Sequence, residues 1–402
     1  MIAPFPALIR VTPERSNSDA RNGIRPPPPR GQPTEITASA CTGRLVLVNP
    51  SAIRRATSLS SHLGQTERIF ASAKSKRLLA SVDDGLQRIE TALERELRFT
   101  DSVADSTSRY LLEAGGKRVR PMLLLLTAQL GNGNTDEVIQ AAEAIEITHL
   151  ASLYHDDVMD DADRRRGVPS AHAVFGNSVA ILTGDLLFAR ASQLMAKLGE
   201  RATQLQADTF ERLVLGQLHE TVGPQDDEDP EEHYIQVLAD KTGSLIALAA
   251  QAGLIFSGAP REFEPAVVEY GEKIGVAFQL IDDVIDLSPQ PEETGKVPGT
   301  DLRAGVATLP LIRLRALAAT DESAAALVSR IETDAAGADG DAASADFDAA
   351  IAELRVHDVT TRTLAEAHEW AREAVEALAP LPDGPVKQAL TRFADTIVDR
   401  SK

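Results

Sequence analysis

Cysteine is almost absent from this chain of 402 residues, which contains only Cys41. One thiol can form neither an internal disulfide nor a cysteine metal cage, so a reducing, cytoplasmic setting is the default expectation. Aromatic residues make up only 4% of the chain, whereas the helix formers Ala and Leu are abundant. No apolar run reaches the roughly 18 residues of a membrane span. The N-terminus is too short and too rich in proline for a secretory signal.

An excess of positive charge is also missing, since the net charge is -19, and nucleic acid is therefore not an expected partner. Residues 1–77 are an exception, with a net charge of +8 against -27 for the remainder. Their composition, basic and rich in Pro and Ser, predicts a disordered extension. It is also compatible with a transit peptide, although Pro26–Pro29 argue against one. A dispensable tail, or a start codon assigned too far upstream, is the preferred interpretation.

Residues 78–402 lack the alternation of apolar and polar residues that is typical of strands. Apolar residues recur three and four positions apart instead, which predicts an all-α fold in one domain of stacked helices around a central cavity. The long helices are expected at Glu137–Asp161, Tyr234–Phe256 and Glu264–Leu287. Residues 334–346, rich in Ala, Gly and Asp, predict a flexible insertion within the domain.

Two aspartate clusters share one spacing. They are Asp156, Asp157 and Asp160 in the first, and Asp282, Asp283 and Asp286 in the second. Carboxylates four positions apart on a helix lie on one face and repel each other unless a cation is present. Mg²⁺ takes carboxylate oxygens and often shares its ligands with a substrate phosphate. Either cluster alone is explained equally well as a solvated helix end, but the repetition favours two halves of one magnesium site.

A basic segment, Gly115-Gly116-Lys117-Arg118-Val119-Arg120-Pro121, precedes the first cluster. Its cations stand at the start of a predicted helix, where they oppose the helix dipole. A phosphate at that place would satisfy both the free backbone N–H groups and the cations. Further cations lie at or beside segment ends, namely Arg165, Arg166, Lys241 and Lys296. A diphosphate ester bound with Mg²⁺ needs both signs of charge and accounts for this arrangement.

Small residues precede Asp156 on the same predicted helix. Ala151 and Ser152 lie one turn back and Thr148 two turns back. If Asp156 lines the mouth of a cavity, this face leaves space for an apolar chain below it. Small side chains also permit close packing of helices, and the sequence leaves both explanations open.

Taken together, these motifs resemble those of the trans-polyprenyl diphosphate synthases from about residue 80 to the end of the chain. The matching elements are the segment 115–121, His149, the two aspartate clusters, Arg165-Arg166-Gly167, Gly184-Asp185, Lys241-Thr242, Phe278-Gln279, Lys296 and Asp301-Leu302-Arg303. Their combination is far more specific than a single short motif. Two features depart from the family: Val306 stands where a lysine often precedes Thr-Leu-Pro, and Arg164 has no assigned role.

The resemblance implies an isoprenoid synthase-type helical bundle and a role for each matching residue. Mg²⁺ would be bound by Asp156, Asp160 and Asp282, with Asp157 and Asp286 in support. The allylic diphosphate would be held by Arg165, Lys241 and Lys296, and isopentenyl diphosphate by Lys117, Arg120, His149 and Arg166. Thr242 and Gln279 would line the reacting centre, so that the catalytic set comprises Asp156, Asp157, Asp160, Lys241, Thr242, Gln279 and Asp282.

The implied reaction is head-to-tail condensation of isopentenyl diphosphate with geranyl, farnesyl or geranylgeranyl diphosphate. The resemblance implies that in short-chain members aromatic residues plug the tunnel one turn before the first motif. This chain has Ala151 and Ser152 at those positions. A product longer than farnesyl diphosphate, such as a quinone side-chain precursor, is therefore predicted, with geranylgeranyl diphosphate as the alternative. A homodimer is a further expectation from the family, and the greasy product permits transient contact with a membrane surface.

Two other functions fit the sequence less well. A class I terpene cyclase would usually have Ser or Thr and then Glu in its second metal motif, where this chain has Asp286 and Gln290. A non-catalytic subunit of a heteromeric synthase would be expected to lack one or both aspartate clusters, and this chain has both. A structural helical protein would not require so many charges at segment ends.

Overall fold

A computed structural model describes residues 76–288, 298–335 and 341–399, with side chains omitted at 334, 335 and 341–344. The first half of the chain forms α1 (Lys76–Glu96), α2 (Ser102–Glu113), α3 (Val119–Ala128), α4 (Asp136–Met159), β1 (Arg164–Arg165), β2 (Val168–Pro169), α5 (Ala171–Phe175), α6 (Asn177–Lys197) and α7 (Glu200–Val222). The two strands pair only with each other, in an antiparallel hairpin. The all-α prediction is confirmed.

The second half continues the helical pattern. Its elements are α8 (Pro230–Leu238), a π-helical turn (Ala239–Gly243), α9 (Ser244–Phe256), a 3₁₀ turn (Arg261–Phe263), α10 (Glu264–Asp286), α11 (Thr300–Arg303), α12 (Leu309–Ala318), α13 (Glu322–Ala335), α14 (Asp341–Val356), α15 (Asp358–Ala377) and α16 (Pro385–Val398). The helix predicted at Tyr234–Phe256 is thus interrupted by the π-helical turn.

Local sequence explains where the site-bearing helices begin. The Thr135 hydroxyl accepts a hydrogen bond from the Val138 N–H at the start of α4, and Pro265 stands in the first turn of α10. Asp229 caps α8 in the same way, with Pro230 as its first residue. The predicted long helices at Glu137–Asp161 and Glu264–Leu287 are confirmed to within two residues.

The main core lies where α3, α4, α9 and α10 pack together, with α6 against α4 and α15 against α10. A smaller apolar cluster joins α12, α13 and α14. The helices are therefore stacked as predicted, and α4 and α10 face a common space. By length and composition α6 could cross a membrane, but it packs along α4 with Leu187, Ala191 and Leu194 buried.

The predicted segment boundaries meet the structure at two places. Helix α1 begins at Lys76, two residues before the expected start of the domain, and residues 1–75 lie outside the described part. Helices α13 and α14 reach into the predicted insertion from both sides, up to Ala335 and from Asp341. The flexible insertion expected at 334–346 thus has helical ends, and its flexibility stays a prediction.

Candidate active site

A cavity of about 560 Å³ lies between the C-terminal half of α4 and the facing part of α10. Twelve of the residues predicted from the sequence line it: Lys117, Arg120, His149, Ser152, Asp156, Asp160, Arg165, Arg166, Lys241, Thr242, Gln279 and Asp282. Four others, Thr148, Ala151, Asp157 and Asp286, lie behind its wall, and Lys296 falls outside the described residues. The fold thus brings both aspartate clusters and the predicted cations to one place.

Asp156 and Asp160 lie at the C-terminal end of α4, where the Asp160 N–H donates to the Asp156 carbonyl at 2.8 Å. Burial raises the pKa of Asp156 to about 6, with Asp160 and Glu220 adding to the rise and Lys241 opposing it. A raised carboxylate pKa shows that negative charge at this position lacks sufficient compensation. A divalent cation would supply it, so the donor set fits Mg²⁺.

Within the described ranges, no three acidic or imidazole groups are close enough together to enclose a metal ion by themselves. The carboxylates of Asp156, Asp160 and Asp282 instead border one cavity from two helices. Mg²⁺ is commonly held by one or two carboxylates together with substrate phosphates. This open arrangement suits an ion that is completed by a diphosphate.

Asp157 is fully buried, and its Oδ1 accepts a hydrogen bond from Arg165 Nε at 2.6 Å. Burial raises the pKa of Asp157, and Arg165 opposes that rise. The supporting role in metal binding that the resemblance implies for Asp157 stays a prediction. A helix advances by 100° per residue, so the neighbour of a cavity-lining aspartate turns away from the cavity. Asp157 thus contacts Arg165, a residue predicted to bind the diphosphate of the allylic substrate.

Arg165 and Arg166 are carried by the hairpin of β1 and β2. Arg166 and Gly167 have φ angles of 52° and 78° and form its two-residue loop, where glycine is favoured. The Arg164 guanidinium donates to the Gly167 carbonyl at 2.6 Å, which gives this unassigned arginine a role in the loop. The hairpin is held further by the Tyr110 hydroxyl, which donates to the Pro169 carbonyl at 2.8 Å.

The second cluster divides its three aspartates between cavity and wall. Asp282 and Asp283 line the cavity, and Asp283 accepts a hydrogen bond from the Tyr234 hydroxyl at 2.8 Å. Burial raises the pKa of Asp283 well above its usual range. Asp286 is buried behind them and accepts the Asp301 N–H at 3.1 Å. Asp286 therefore holds the backbone at the start of α11, and its supporting role in metal binding stays a prediction.

Lys241 and Thr242 belong to the π-helical turn between α8 and α9. Two glycines make room for this turn. A Cβ on Gly216 would lie 2.6 Å from the Lys241 backbone nitrogen, and a Cβ on Gly275 would lie 2.4 Å from the Cα of Gly243. A π-helical turn widens a helix by one residue and is frequent at functional sites. Here both side chains of the turn line the cavity.

Glu220 is a cavity residue that sequence reasoning missed. Its carboxylate, on the last turn of α7, forms an ion pair with the Lys241 ammonium group. The predicted diphosphate ligand Lys241 is thus compensated by a carboxylate when no diphosphate is present. Glu220 lies in an ordinary polar helix end, so the sequence contains no local signal for it.

The predicted isopentenyl diphosphate subsite brings several cations together around one part of the cavity. Burial lowers the pKa of Arg120, and its Nε has no hydrogen-bond partner in the described part of the chain. Burial also lowers the pKa of Arg166 to about 10. The pKa of His149 lies well below its usual range because of burial and the nearby Arg120 and Arg166. His149 is therefore a neutral imidazole near pH 7, and the subsite fits an anion.

The three small residues of α4 do not share one role. Ser152 lines the cavity, whereas Ala151 and Thr148 are buried against other parts of the bundle. A Cβ on Gly184 of α6 would lie 3.2 Å from the Ala151 carbonyl, so α6 passes close to the backbone of α4 at this position. The Thr148 hydroxyl donates to the Ala144 carbonyl at 2.8 Å within the helix. Only Ser152 of these three is placed to contact a bound chain.

Comparisons with known proteins agree with the geometry. Residues 101–345 match the family model described as polyprenyl synthetase. The chain is 42% identical over 333 residues to nonaprenyl diphosphate synthase of Mycobacterium tuberculosis, covering 80% of this chain and 94% of that protein. A decaprenyl diphosphate synthase from Rhodobacter capsulatus has a similar structure, with a TM-score of 0.71, 33% identity, and coverage of 81% of this chain and 99% of that one.

A second solved structure bears on ligands. It is a polyprenyl synthase from Caulobacter crescentus, complexed with calcium and isoprenyl diphosphate, with a TM-score of 0.72, 31% identity, and coverage of 84% of this chain and 98% of that one. That protein binds a divalent cation together with a prenyl diphosphate. The charges of the cavity in this chain likewise indicated a divalent cation together with a diphosphate.

Proposed function

The chain belongs to the polyprenyl synthetase family, and on that premise we propose that it condenses isopentenyl diphosphate with an allylic diphosphate to give a trans-polyprenyl diphosphate longer than farnesyl. The observation that carries the proposal is the single cavity lined by both aspartate clusters and by two groups of cations. One group would hold the allylic diphosphate and the other isopentenyl diphosphate. The product would serve as a quinone side-chain precursor, made in the cytoplasm.

The allylic side of the cavity would be built from Asp156, Asp160, Asp282, Arg165 and Lys241. The three carboxylates would hold Mg²⁺, which supplies electrophilic stabilisation of the leaving diphosphate when bound. Arg165 and Lys241 would take up negative charge as the allylic C–O bond breaks. Asp157 holds the Arg165 guanidinium from behind. This part of the proposal also assigns Lys296 to the allylic diphosphate, although that residue lies outside the described ranges.

The isopentenyl side would be built from Lys117, Arg120, His149 and Arg166. These groups would fix the diphosphate so that the double bond faces the allylic carbon, and Thr242 and Gln279 would line the point where the two carbons meet. The new C–C bond forms as the double bond attacks the allylic cation. A proton is then lost from the adjacent carbon, with the departed diphosphate as its acceptor. Closure of the cavity around the bound substrates would exclude water, which would otherwise quench the cation.

The direct test of this function is product analysis. Purified chain, Mg²⁺, farnesyl diphosphate and labelled isopentenyl diphosphate are expected to give labelled products longer than farnesyl on chromatography. Geranylgeranyl diphosphate as the sole product would favour the alternative synthase. A cyclic hydrocarbon would indicate a terpene cyclase, and an inactive chain would be expected of a non-catalytic subunit.

Chain length provides a first variant. Ser152→Phe is expected to shorten the product, because Ser152 lies in the cavity wall one turn below Asp156 and a phenyl ring there would block the growing chain. The product distribution is measured by the same chromatography. Ser152→Ala, which adds no bulk, should leave the distribution unchanged. If Ser152→Phe makes products of wild-type length, this face does not line the path of the chain.

We also propose that two chains assemble through α6 and α7. Apolar side chains are exposed on both helices, at Ile181, Leu182, Val214, Leu215, Leu218 and Val222. The two helices contact each other, so these residues lie on neighbouring surfaces. A homodimer would cover them, and sedimentation of the purified chain would measure its mass. A monomeric mass at micromolar concentration would contradict the assembly.

A further inference from the structure

Arg118 is a buried cation of the basic segment, and it contacts two carboxylates from different helices. Its Nε and Nη2 atoms donate to the two oxygens of Glu90 on α1, at 2.5 and 3.2 Å. Its Nη1 donates to Glu146 on α4 at 3.0 Å. The side chain of Arg118 is only 2% exposed. A buried guanidinium that donates to carboxylates on two different helices is held firmly in place.

The backbone conformation at Arg118 indicates which neighbouring residues depend on these ion pairs. Arg118 has a φ of 49°, in the left-handed region that residues other than glycine rarely adopt, and it is the residue that precedes α3. Lys117 and Arg120 are its near neighbours in the chain, and both line the cavity. A Cβ on Gly116 would lie 2.6 Å from Arg118 Nη1, so the turn closes tightly over the guanidinium. The strained turn and the direction of its two cationic neighbours therefore depend on how Arg118 is held.

Glu146, on α4, also affects the cations of the isopentenyl diphosphate subsite. It is 2% exposed, it borders the cavity, and its charge raises the pKa of both Arg120 and Arg166 against the effect of burial. Glu90 lies elsewhere, on α1, which precedes the residues 101–345 that match the family model. Helix α1 is therefore connected to the cavity through an ion pair that the family match does not include.

We propose that Glu90 and Glu146 are positioning residues for the isopentenyl diphosphate subsite, acting through Arg118 to orient Lys117 and Arg120. The proposal rests on the function proposed above. It assigns the two carboxylates no contact with substrate or metal. It also makes α1 part of the binding machinery, although no residue of α1 borders the cavity.

A competing physical explanation gives the opposite result. If the two carboxylates only reduce the positive charge of the subsite, their removal would strengthen the binding of a diphosphate, because Coulomb attraction would increase. If they position the cations, removal would weaken binding, because the charged hydrogen bonds that hold the Arg118 turn are lost. The direction of the change in KM for isopentenyl diphosphate separates the two.

The experiment measures steady-state kinetics of Glu90→Gln and Glu146→Gln, with isopentenyl and farnesyl diphosphates varied separately. Each variant is expected to raise KM for isopentenyl diphosphate at least tenfold, with KM for farnesyl diphosphate and kcat at saturation within about threefold of wild type. Glu94→Gln, an exposed residue one turn further along α1, is the matched control and should change neither KM. Glu146→Asp, which keeps the charge, is expected to recover part of the loss.

Three results would overturn the proposal. The first is a Glu90→Gln enzyme with unchanged KM for isopentenyl diphosphate. The second is a fall in that KM, as expected from charge reduction alone. The third is a parallel rise of both KM values, which would indicate general loosening of the bundle. An inactive wild-type chain would instead count against the proposed function, so the two failures are distinguishable.

Discussion

Asp156→Ala is expected to lower kcat at least about a thousandfold, which corresponds to about 4 kcal/mol of transition-state stabilisation. The reason is the position of Asp156, which borders the cavity between Asp160 on its own helix and Lys241 across the space. Its carboxylate would hold the divalent cation that draws charge onto the leaving diphosphate. The measurement is single-turnover prenyl transfer with saturating substrates and Mg²⁺.

The fold should tolerate this change, because Asp156 lies in a charged cavity where removal of a carboxylate leaves no apolar void. Far-UV circular dichroism is expected to match wild type. Asp163→Ala removes an exposed carboxylate from the segment between α4 and β1 and should retain full turnover. A fully active Asp156→Ala enzyme would remove the metal role from α4. Equal losses in both variants would show that total negative charge, and not the position of Asp156, is what matters.

Arg120→Met is expected to raise KM for isopentenyl diphosphate about a hundredfold, or about 2.7 kcal/mol, while raising the melting temperature of the substrate-free protein. Arg120 is half-buried, and its buried Nε has no acceptor among the described residues. A buried N–H without an acceptor destabilises a fold, and an apolar residue of similar length removes that cost. With a diphosphate present the charge of Arg120 would be compensated.

The two effects of Arg120→Met are measured by kinetics and by thermal unfolding with and without inorganic diphosphate. The stabilisation that diphosphate confers on wild type should shrink in the variant. Arg313→Met is the contrasting case, because Arg313 is paired with Glu231 and Glu366, and its loss should lower the melting temperature. A lower melting temperature for Arg120→Met would show that the guanidinium already has a sufficient partner in the free protein.

The long helices could be predicted because their apolar periodicity and end signals are local. The capping threonine of α4 and the proline in the first turn of α10 can be read directly from the chain. The π-helical turn could not be predicted in this way. Its cause is the close approach of α7 and α10 at Gly216 and Gly275, both distant in sequence from Lys241. Neither glycine reveals which neighbour requires it.

In the candidate site, too, local motifs could be predicted from the sequence, whereas contacts between distant residues could not. Motif resemblance located twelve residues that line the cavity and gave Asp157 a supporting role beside Asp156, but it did not show that Asp157 is buried against Arg165. It grouped Ala151 with Ser152, although Ala151 is fully buried away from the cavity and Ser152 borders it. It missed Glu220 and Glu90, whose partners lie 21 and 28 residues away in the chain.

The sequence by itself determined the helical class, the order of the helices and the types of charge available, because periodicity, end signals and motif spacing are properties of neighbouring residues. Tertiary structure decided which of those charges meet, which are buried, and which hold another residue in place. Those outcomes depend on desolvation and on contacts between helices that are remote in the chain. Arg118 illustrates the difference: its place in a phosphate-binding segment is evident from sequence, whereas its attachment to Glu90 and Glu146 required the folded bundle.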